Sequence, residues 1–228
     1  MTALAVSATD GWRVAHRGAV IGLLELSGVA QADISAAFDE RKHAVEAGLR
    51  QQYNGFERQK LTALPVMSAY VQYYRKFGKT YHVQLQLESI VLKGKRLPSV
   101  SPLVDANFAA ELETLVLTAG HDVASLRPPL TIDVSREDDE IVQMSGTRKT
   151  LHAGDIVMRD ASGVSCSIIY GQDNRSAISP ATSHVLYVAY GPAGVGPVAV
   201  QAQLRAIEEN VRLFSPSAVI EQDRLLAA

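Results

Sequence analysis

The sequence predicts an α+β fold, in which N-terminal helices precede a β-sandwich-like block of antiparallel or mixed strands and a C-terminal helix. The first observation is a helical spacing of apolar residues over most of residues 33 to 93. The second is a change, after residue 129, to short runs rich in Val and Ile that Gly, Asp and Ser residues separate. Because helices and strands occur in separate blocks, a βαβ alternation is not expected.

The N-terminal half is predicted to be mainly helical. Residues 12–29 are rich in Val, Ile and Leu and indicate one or two short strands. Apolar residues at helical spacing then predict a helix over residues 33–52, which Asn54-Gly55 ends. Two more helices are predicted, over residues 65–77 and 81–93, and residues 107–118 are expected to be partly helical.

The C-terminal half is predicted to form five strands and one helix. The strand segments are LTIDVS, EIVQMSG, GDIVMRD, GVSCSIIY and SHVLYVAYG. The segment GPAGVGP lacks the lysine of a phosphate-binding loop and is interpreted as the turn before a helix over residues 197–214. No repeat or low-complexity linker interrupts the chain, so residues 1–228 are predicted to form a single domain.

Composition limits the possible functions. The 228 residues are 47% hydrophobic and 20% charged, which is typical of a folded soluble protein. The net charge of −2 excludes the global basic field of a DNA-coating protein, although local basic patches remain possible. A single cysteine excludes an internal disulfide framework and suits a reducing compartment. Because no secretory signal or membrane-spanning run is visible, we expect a cytoplasmic protein.

Metal and nucleophile motifs are weak. The six histidines are scattered, without the spacing of metal ligands, so neither a metal nor a cofactor is predicted. Cys166 lies in a β-like run, where it is either a small buried side chain, the favoured interpretation, or a nucleophile. No Gly-x-Ser-x-Gly motif is present.

Basic residues gather at the ends of two predicted helices. Arg75 and Lys76 end one helix among several tyrosines, and Lys93, Lys95 and Arg96 end the next. Positive charge beside aromatic surface suits an RNA backbone and its unstacked bases. Cations at helix C-termini also complement the helix dipole, and this alternative stays open.

Polar residues mark both ends of an otherwise apolar stretch, RLPSVSPLVDANFAAELETLVLTAGHD. Asp105 and Asn107 stand near its beginning, and His121 and Asp122 stand at its end. Asp and Asn are common helix caps, so the first pair has a structural explanation as well as a functional one.

This stretch and its surroundings resemble the tRNA-binding and editing module, built from the third and fourth domains, of the phenylalanyl-tRNA synthetase beta chain, as a free-standing protein. The resemblance spans roughly residues 66–190, framed by an N-terminal extension and the C-terminal helix. Its features, in chain order, are Glu88, Gly94, Leu97-Pro98, Val104-Asp105-x-Asn107, the Gly-x-Asp ending at Asp122, the turn from Gly154 to Val157, and Thr182.

The resemblance implies a mixed α+β fold with a β-sandwich core and a hydrolase that removes a wrongly attached amino acid, chiefly tyrosine, from the tRNA end. It implies the tRNA acceptor end as partner, with no DNA, membrane or cofactor. Asn107 and His121 are expected to be catalytic, and the basic residues above to bind RNA. The expected substrate-binding residues are Asp105, Asp122, Tyr170, Gly171, Gln172 and Thr182.

Two departures from the family pattern affect the expected mechanism. The histidine stands immediately before Asp122, whereas the family places it a few residues earlier, and the late strand from His184 to Tyr190 has no carboxylate. We therefore expect no strong protein base, so that hydrolysis depends on a positioned water and a substrate hydroxyl. The alternatives are a small-molecule binding protein or hydrolase that uses the same pocket, and a non-catalytic interaction module.

Overall fold

The computed structural model describes residues 3–31 and 35–228. The helices in this part of the chain are α1 (Asp10–Ala15), α2 (Ala36–Gln52), α3 (Arg58–Thr62), α4 (Pro65–Arg75), α5 (His82–Val91), α6 (Pro102–Thr114) and α7 (Pro197–Arg212). The strands are β1 (Val6–Ala8), β2 (Val20–Ser27), β3 (Thr118–Asp122), β4 (Leu130–Val134), β5 (Glu140–Val142), β6 (Arg148–Thr150), β7 (Ile156–Asp160), β8 (Gly163–Ser167), β9 (Gly171–Gln172), β10 (Val185–Gly191) and β11 (Val219–Ala227).

The strands form two larger sheets and one two-stranded sheet. The five-stranded sheet has the order β1-β4-β7-β8-β9, the four-stranded sheet has the order β11-β2-β10-β3, and β5 pairs with β6. β1 runs parallel to β4, and the other pairs are antiparallel. The sheets are mainly antiparallel and the five helices α2 to α6 follow one another without intervening strands, so the predicted α+β class is confirmed.

The N-terminal half contains the predicted helices with shifted boundaries. The helix expected over residues 33–52 begins at α2 after the N-cap Ser35, whose hydroxyl accepts a hydrogen bond from the Phe38 amide. Positions 33 and 34 lie outside the described residues. Residues 12–15 were expected to be extended but belong to α1, because Thr9 caps a short helix that buries Trp12. Only residues 20–27 of that region form a strand.

Two further predictions need correction. The helix expected over residues 107–118 occupies residues 102–114, and Thr118 already belongs to β3. The helix ends there because Leu115 adopts a left-handed backbone (φ 63°), which turns the chain into the sheet. The last helix ends at Arg212, and the chain then returns as β11 along β2, a strand that the sequence did not predict.

The C-terminal helix packs closely on the four-stranded sheet because two glycines lie beneath it. A Cβ atom at Gly22 of β2 would come within 2.7 Å of Val200 Cγ1, and one at Gly191 of β10 would come within 2.9 Å of its Cγ2. Larger residues at these positions would push α7 away from the sheet. One core of buried side chains joins both larger sheets with helices α2 to α7. In the described ranges, no helix has the length and apolar character needed to cross a membrane.

Candidate functional site

A cavity of about 460 Å³ lies where both larger sheets meet helices α5 and α6. Its walls come from α5, the loop before α6, α6 itself, β3, β8, β9 and β10. The exposed side chains of Val100 and Met144 lie at its edge. Its volume is in the usual range of small-ligand sites, and its walls are largely apolar.

Two polar groups in the cavity wall have no nitrogen or oxygen partner among the described residues. The phenol of Tyr190, on β10, is fully buried and interacts with the Cys166 thiol, but it has no nitrogen or oxygen partner among residues 3–31 and 35–228. The side-chain oxygen of Gln86 on α5 is likewise buried without a partner in those residues. Cys166 on β8 also lines the cavity. Burial raises the pKa of its thiol to about 12, so the sulfur is protonated at neutral pH. A buried polar group without a protein partner needs a hydrogen bond from a water molecule or from a ligand.

Asn107 lines the cavity, but its amide belongs to a buried polar network. The Asn107 Nδ2 donates to the Thr118 carbonyl at 2.9 Å, and the Gln203 Nε2 donates to Asn107 Oδ1 at 3.3 Å. The Thr118 amide donates to Glu111 Oε1 at 2.7 Å. Burial raises the pKa of Glu111 to about 8, so this carboxyl is neutral at pH 7. The network fastens α6 to β3 and α7.

The expectation that His121 lines the same cavity is wrong. His121 lies on β3, is fully buried, and places its Nδ1 2.7 Å from the hydroxyl of Ser176. Burial, with a smaller contribution from Arg175, lowers the pKa of its imidazole to about 3. A buried, uncharged ring without access to the cavity cannot exchange protons with a bound substrate.

Asp105 holds the chain before α6 and does not line the cavity. Its carboxylate is buried, lies 3.0 Å from Lys42 Nζ, and accepts a 2.8 Å hydrogen bond from the Val100 amide. The expected role of Asp105 as a helix cap is wrong, because Ser101 is the N-cap of α6; Asp105 lies inside the first turn and forms an ion pair with α2. Through the Val100 amide it fixes the position of a side chain at the cavity edge.

Asp122 and Thr182 contact each other outside the cavity. The Thr182 hydroxyl donates to Asp122 Oδ2 at 3.0 Å and accepts a hydrogen bond from the Ser179 amide at 2.9 Å. Asp122 Oδ1 accepts from the Ala124 amide at 3.0 Å. These bonds secure the loop between β9 and β10, which supplies Ala177 to the cavity wall. The predicted contact of Asp122 and Thr182 with substrate is not supported by this geometry.

Of the three consecutive residues from Tyr170 to Gln172, two line the cavity. Gly171 and Gln172 line the cavity. The Tyr170 side chain packs on a separate apolar cluster, so its predicted contact with substrate is not supported. Gly171 has a backbone φ of 84°, which an L side chain rarely adopts. Apart from residues 170–172, no atom lies within 4 Å of the position of a Cβ at Gly171, so a side chain there would point into open space.

The basic residues expected to bind RNA fall in three places. Arg75 lines a groove at the start of α5, and Lys76 lines another depression beside His16. Lys93, Lys95 and Arg96 are exposed in the loop that leads to Val100 at the cavity edge. This loop is fixed on α2. Arg50 Nη2 donates a hydrogen bond to the Lys95 carbonyl at 2.9 Å, and the Leu97 amide donates one to Glu46 Oε1 at 2.7 Å.

Several cavity residues could not be found from local sequence patterns. Tyr190 and Cys166 stand in strand-like apolar runs, where burial in the core is the ordinary expectation, and Cys166 is indeed buried. His82 lines the cavity near its edge, and it is the only described histidine that does so.

Over the described ranges, no cluster of three or more His, Cys, Asp or Glu side chains is arranged to hold a metal ion.

Comparison with known proteins agrees with this architecture. The B3/4 domain profile matches residues 67–211. The crystal structure of an N-terminal fragment of the phenylalanyl-tRNA synthetase beta subunit from Pyrococcus horikoshii aligns with a TM-score of 0.51 at 8% identity, covering 100% of this chain and 55% of that one. This chain thus spans about half the length of that fragment, and the likeness shows a shared fold. No curated protein sequence matches the chain. The resemblance to a module of that synthetase chain is confirmed.

Proposed function

The chain belongs to the B3/4 domain family, and we propose that it is an aminoacyl-tRNA deacylase that hydrolyses the ester of a wrongly attached amino acid. The observation that carries this proposal is the cavity between the two sheets and helices α5 and α6, with its volume of about 460 Å³. In this proposal the amino acid enters the cavity and the ester stays near the edge, close to Val100.

Recognition of the amino acid uses the apolar walls and the two unpartnered polar groups. Tyr190 offers a phenol as donor or acceptor, and Gln86 offers a carbonyl oxygen as acceptor. Among the described residues that line the cavity, none is a carboxylate, a lysine or an arginine. The cavity therefore suits an uncharged side chain, because a charged one would lose its hydration without gaining a partner.

The chemistry follows from the groups that can reach a bound ester. Hydrolysis requires a water molecule, an acceptor for its proton and a polar environment for the developing oxyanion. Cys166 is protonated at neutral pH and His121 is sealed in the core, so neither serves as nucleophile or base. We assign the proton acceptor to His82 at the cavity edge, and the uncovered backbone of Gly171 can approach the carbonyl. The substrate ribose hydroxyl can orient the water.

The tRNA acceptor end is proposed to approach along the loop before α6. Lys93, Lys95 and Arg96 are exposed there, and the same loop carries Val100 to the cavity edge. Its attachment to α2 keeps the three cations in a fixed place relative to the cavity. Fixed cations attract a phosphate backbone without the entropic cost of ordering a free loop.

A deacylation assay over a panel of mischarged tRNAs tests the proposal. At least one aminoacyl ester must be hydrolysed faster than in buffer. His82→Ala should lower the rate roughly a hundredfold, the usual contribution of a positioned base. His152→Ala is the matched control, because this histidine is exposed and lies outside the cavity wall. Absence of hydrolysis across the whole panel refutes the function, and equal losses in both variants refute the role of His82.

A small-molecule hydrolase or amino-acid-binding protein is the second candidate. The net charge of −2 and the absence of cations from the described cavity wall favour a ligand without a phosphate chain. Free amino-acid esters added to the same assay separate the two functions. The non-catalytic interaction module has less support, because its expected pocket is filled by side chains, whereas this cavity is open.

A further inference from the structure

A second depression, the basic groove, lies beside the cavity at the start of α5. It has a volume of about 330 Å³, and its walls come from α3, the end of α4, the following turn and the first turn of α5. Arg58, Arg75 and Lys79 line it together with the threonines Thr62 and Thr80. Elements separated along the chain thus bring three cations to one small groove.

The basic groove carries positive charge that its surroundings do not neutralise. Arg58 Nε lies 3.1 Å from Glu88 Oε1, which balances one charge. Within the part of the chain that the structure describes, Arg75 and Lys79 form no ion pair. Two net positive charges therefore remain in a protein whose total charge is −2. Such a local excess favours an anionic ligand.

The basic groove and the cavity share one turn of the chain. Tyr81 lines the groove and the next residue, His82, lines the cavity, so the first turn of α5 contributes to both walls. A ligand that extends from the cavity to the groove has to pass this turn.

We propose that the basic groove of Arg58, Arg75 and Lys79 binds an RNA phosphodiester next to the aminoacylated nucleotide. This inference rests on the proposed function for the occupant of the cavity. The arginine guanidinium of Arg75 can bind two phosphate oxygens in a planar pair, and the ammonium of Lys79 acts as a point charge. The hydroxyl of Thr80 adds a donor. The groove therefore supplies the backbone contact that fixes how deeply the amino acid enters the cavity.

Binding of two uncleavable probes tests this without relying on hydrolysis. The first probe is an aminoacyl-adenosine with an amide in place of the ester, and the second is the same group at the end of a trinucleotide, which adds two phosphodiesters. Wild-type protein should bind the trinucleotide more tightly, with a salt dependence that the nucleoside lacks. Each single-stranded phosphate contact contributes a slope of about −0.7 in log K against log salt, or roughly fivefold in affinity at 0.1 M salt.

Arg75→Ala and Lys79→Ala should each remove about fivefold of the trinucleotide affinity and leave the nucleoside affinity unchanged. The matched controls are Arg205→Ala and Lys149→Ala, exposed cations on α7 and β6 that do not line the groove. Equal effects of the groove variants and the control variants on trinucleotide affinity overturn the proposal. A trinucleotide that binds no more tightly than the nucleoside overturns it as well, and so does the absence of binding of both probes. Inorganic phosphate that displaces the trinucleotide at equal concentration shows a small-anion site and also overturns it. If the predicted differences appear but no tRNA is deacylated, the groove stands and the hydrolytic function fails.

Discussion

Replacing Glu111 by Gln should make the protein less sensitive to alkaline pH. Glu111 is 1% exposed, and burial raises the pKa of its carboxyl from 4.5 to about 8. The native protein therefore keeps a proton that the unfolded chain releases above pH 4.5. Stability from this group is complete below that value and is lost as the pH rises toward 8. The glutamine of the variant would keep the acceptor for the Thr118 amide, and its NH₂ would replace the carboxyl proton.

The size of the effect follows from the shift in pKa. The pKa of Glu111 is 4.5 in the unfolded chain and about 8 in the native protein. Proton linkage with these two values gives a loss of about 3.5 kcal/mol in the free energy of unfolding between pH 5 and pH 8. With a urea m-value of about 2 to 3 kcal/mol/M, this corresponds to a fall of roughly 1.2 to 1.8 M in the urea midpoint. Glu111→Gln should remove this loss, so its advantage over wild type should be about 3.5 kcal/mol larger at pH 8 than at pH 5.

Urea unfolding of both proteins, followed by the fluorescence of the buried Trp12, measures this difference. His121 and Asp155 also have shifted pKa values, but they are present in both proteins, so their contributions cancel in the comparison. Glu113→Gln is the matched control, because Glu113 lies on the same helix, is half-buried, and pairs with Arg41 at 2.6 Å. A Glu111→Gln advantage that is equal at both pH values would show that the native carboxyl is ionised and that the assigned pKa is wrong.

Three further predictions concern the cavity and its supports. Tyr190→Phe should weaken binding of an amide-linked tyrosyl-adenosine about tenfold in calorimetry and leave the phenylalanyl analogue unchanged, because only the former can hydrogen-bond to the unpartnered phenol; equal losses contradict this role. Gly171→Ala should lower the free energy of unfolding by about 1 to 2 kcal/mol, since φ is 84° there, and an unchanged urea midpoint speaks against strain. Asp105→Ala should destabilise by about 3 kcal/mol, because it removes the acceptor of the Val100 amide and leaves the buried Lys42 with only the more exposed Asp39 at 3.4 Å, whereas Glu113→Ala should lose less than about 1 kcal/mol; similar losses in the two variants refute the buried ion pair.

Local patterns were enough to predict most of the secondary structure. Helices α2, α4, α5 and α7 follow from apolar residues at helical spacing, and five β-runs after residue 129 follow from their Val and Ile content. These signals are local, because a helix or a half-buried strand must show one apolar side to the core whatever the rest of the fold. Strands β1, β3, β6, β9 and β11 were missed. Of these, β3 and β11 are each defined by pairing with a distant strand, β10 and β2 respectively.

The sequence by itself also indicated the family and the segments that form the cavity. Asn107, Gly171 and Gln172 do line it, as the resemblance to the synthetase module implied. The sequence did not show which of the predicted site residues are buried away from the cavity. His121 and Asp122 are neighbours on β3, where successive side chains point to opposite faces, and only packing shows that neither reaches the cavity.

Tertiary structure alone decided which polar side chains are free and which are already used. Asp105 became half of a buried ion pair because α2 places Lys42 beside it, 63 residues away in sequence. Arg75 became part of the basic groove because α3 and the turn before α5 bring Arg58 and Lys79 to the same place. Tyr190 became a candidate ligand contact because, among the described residues, no nitrogen or oxygen atom bonds to its hydroxyl. Hydrogen bonds and ion pairs depend on distances of a few ångströms between remote segments, and chain order does not specify those distances.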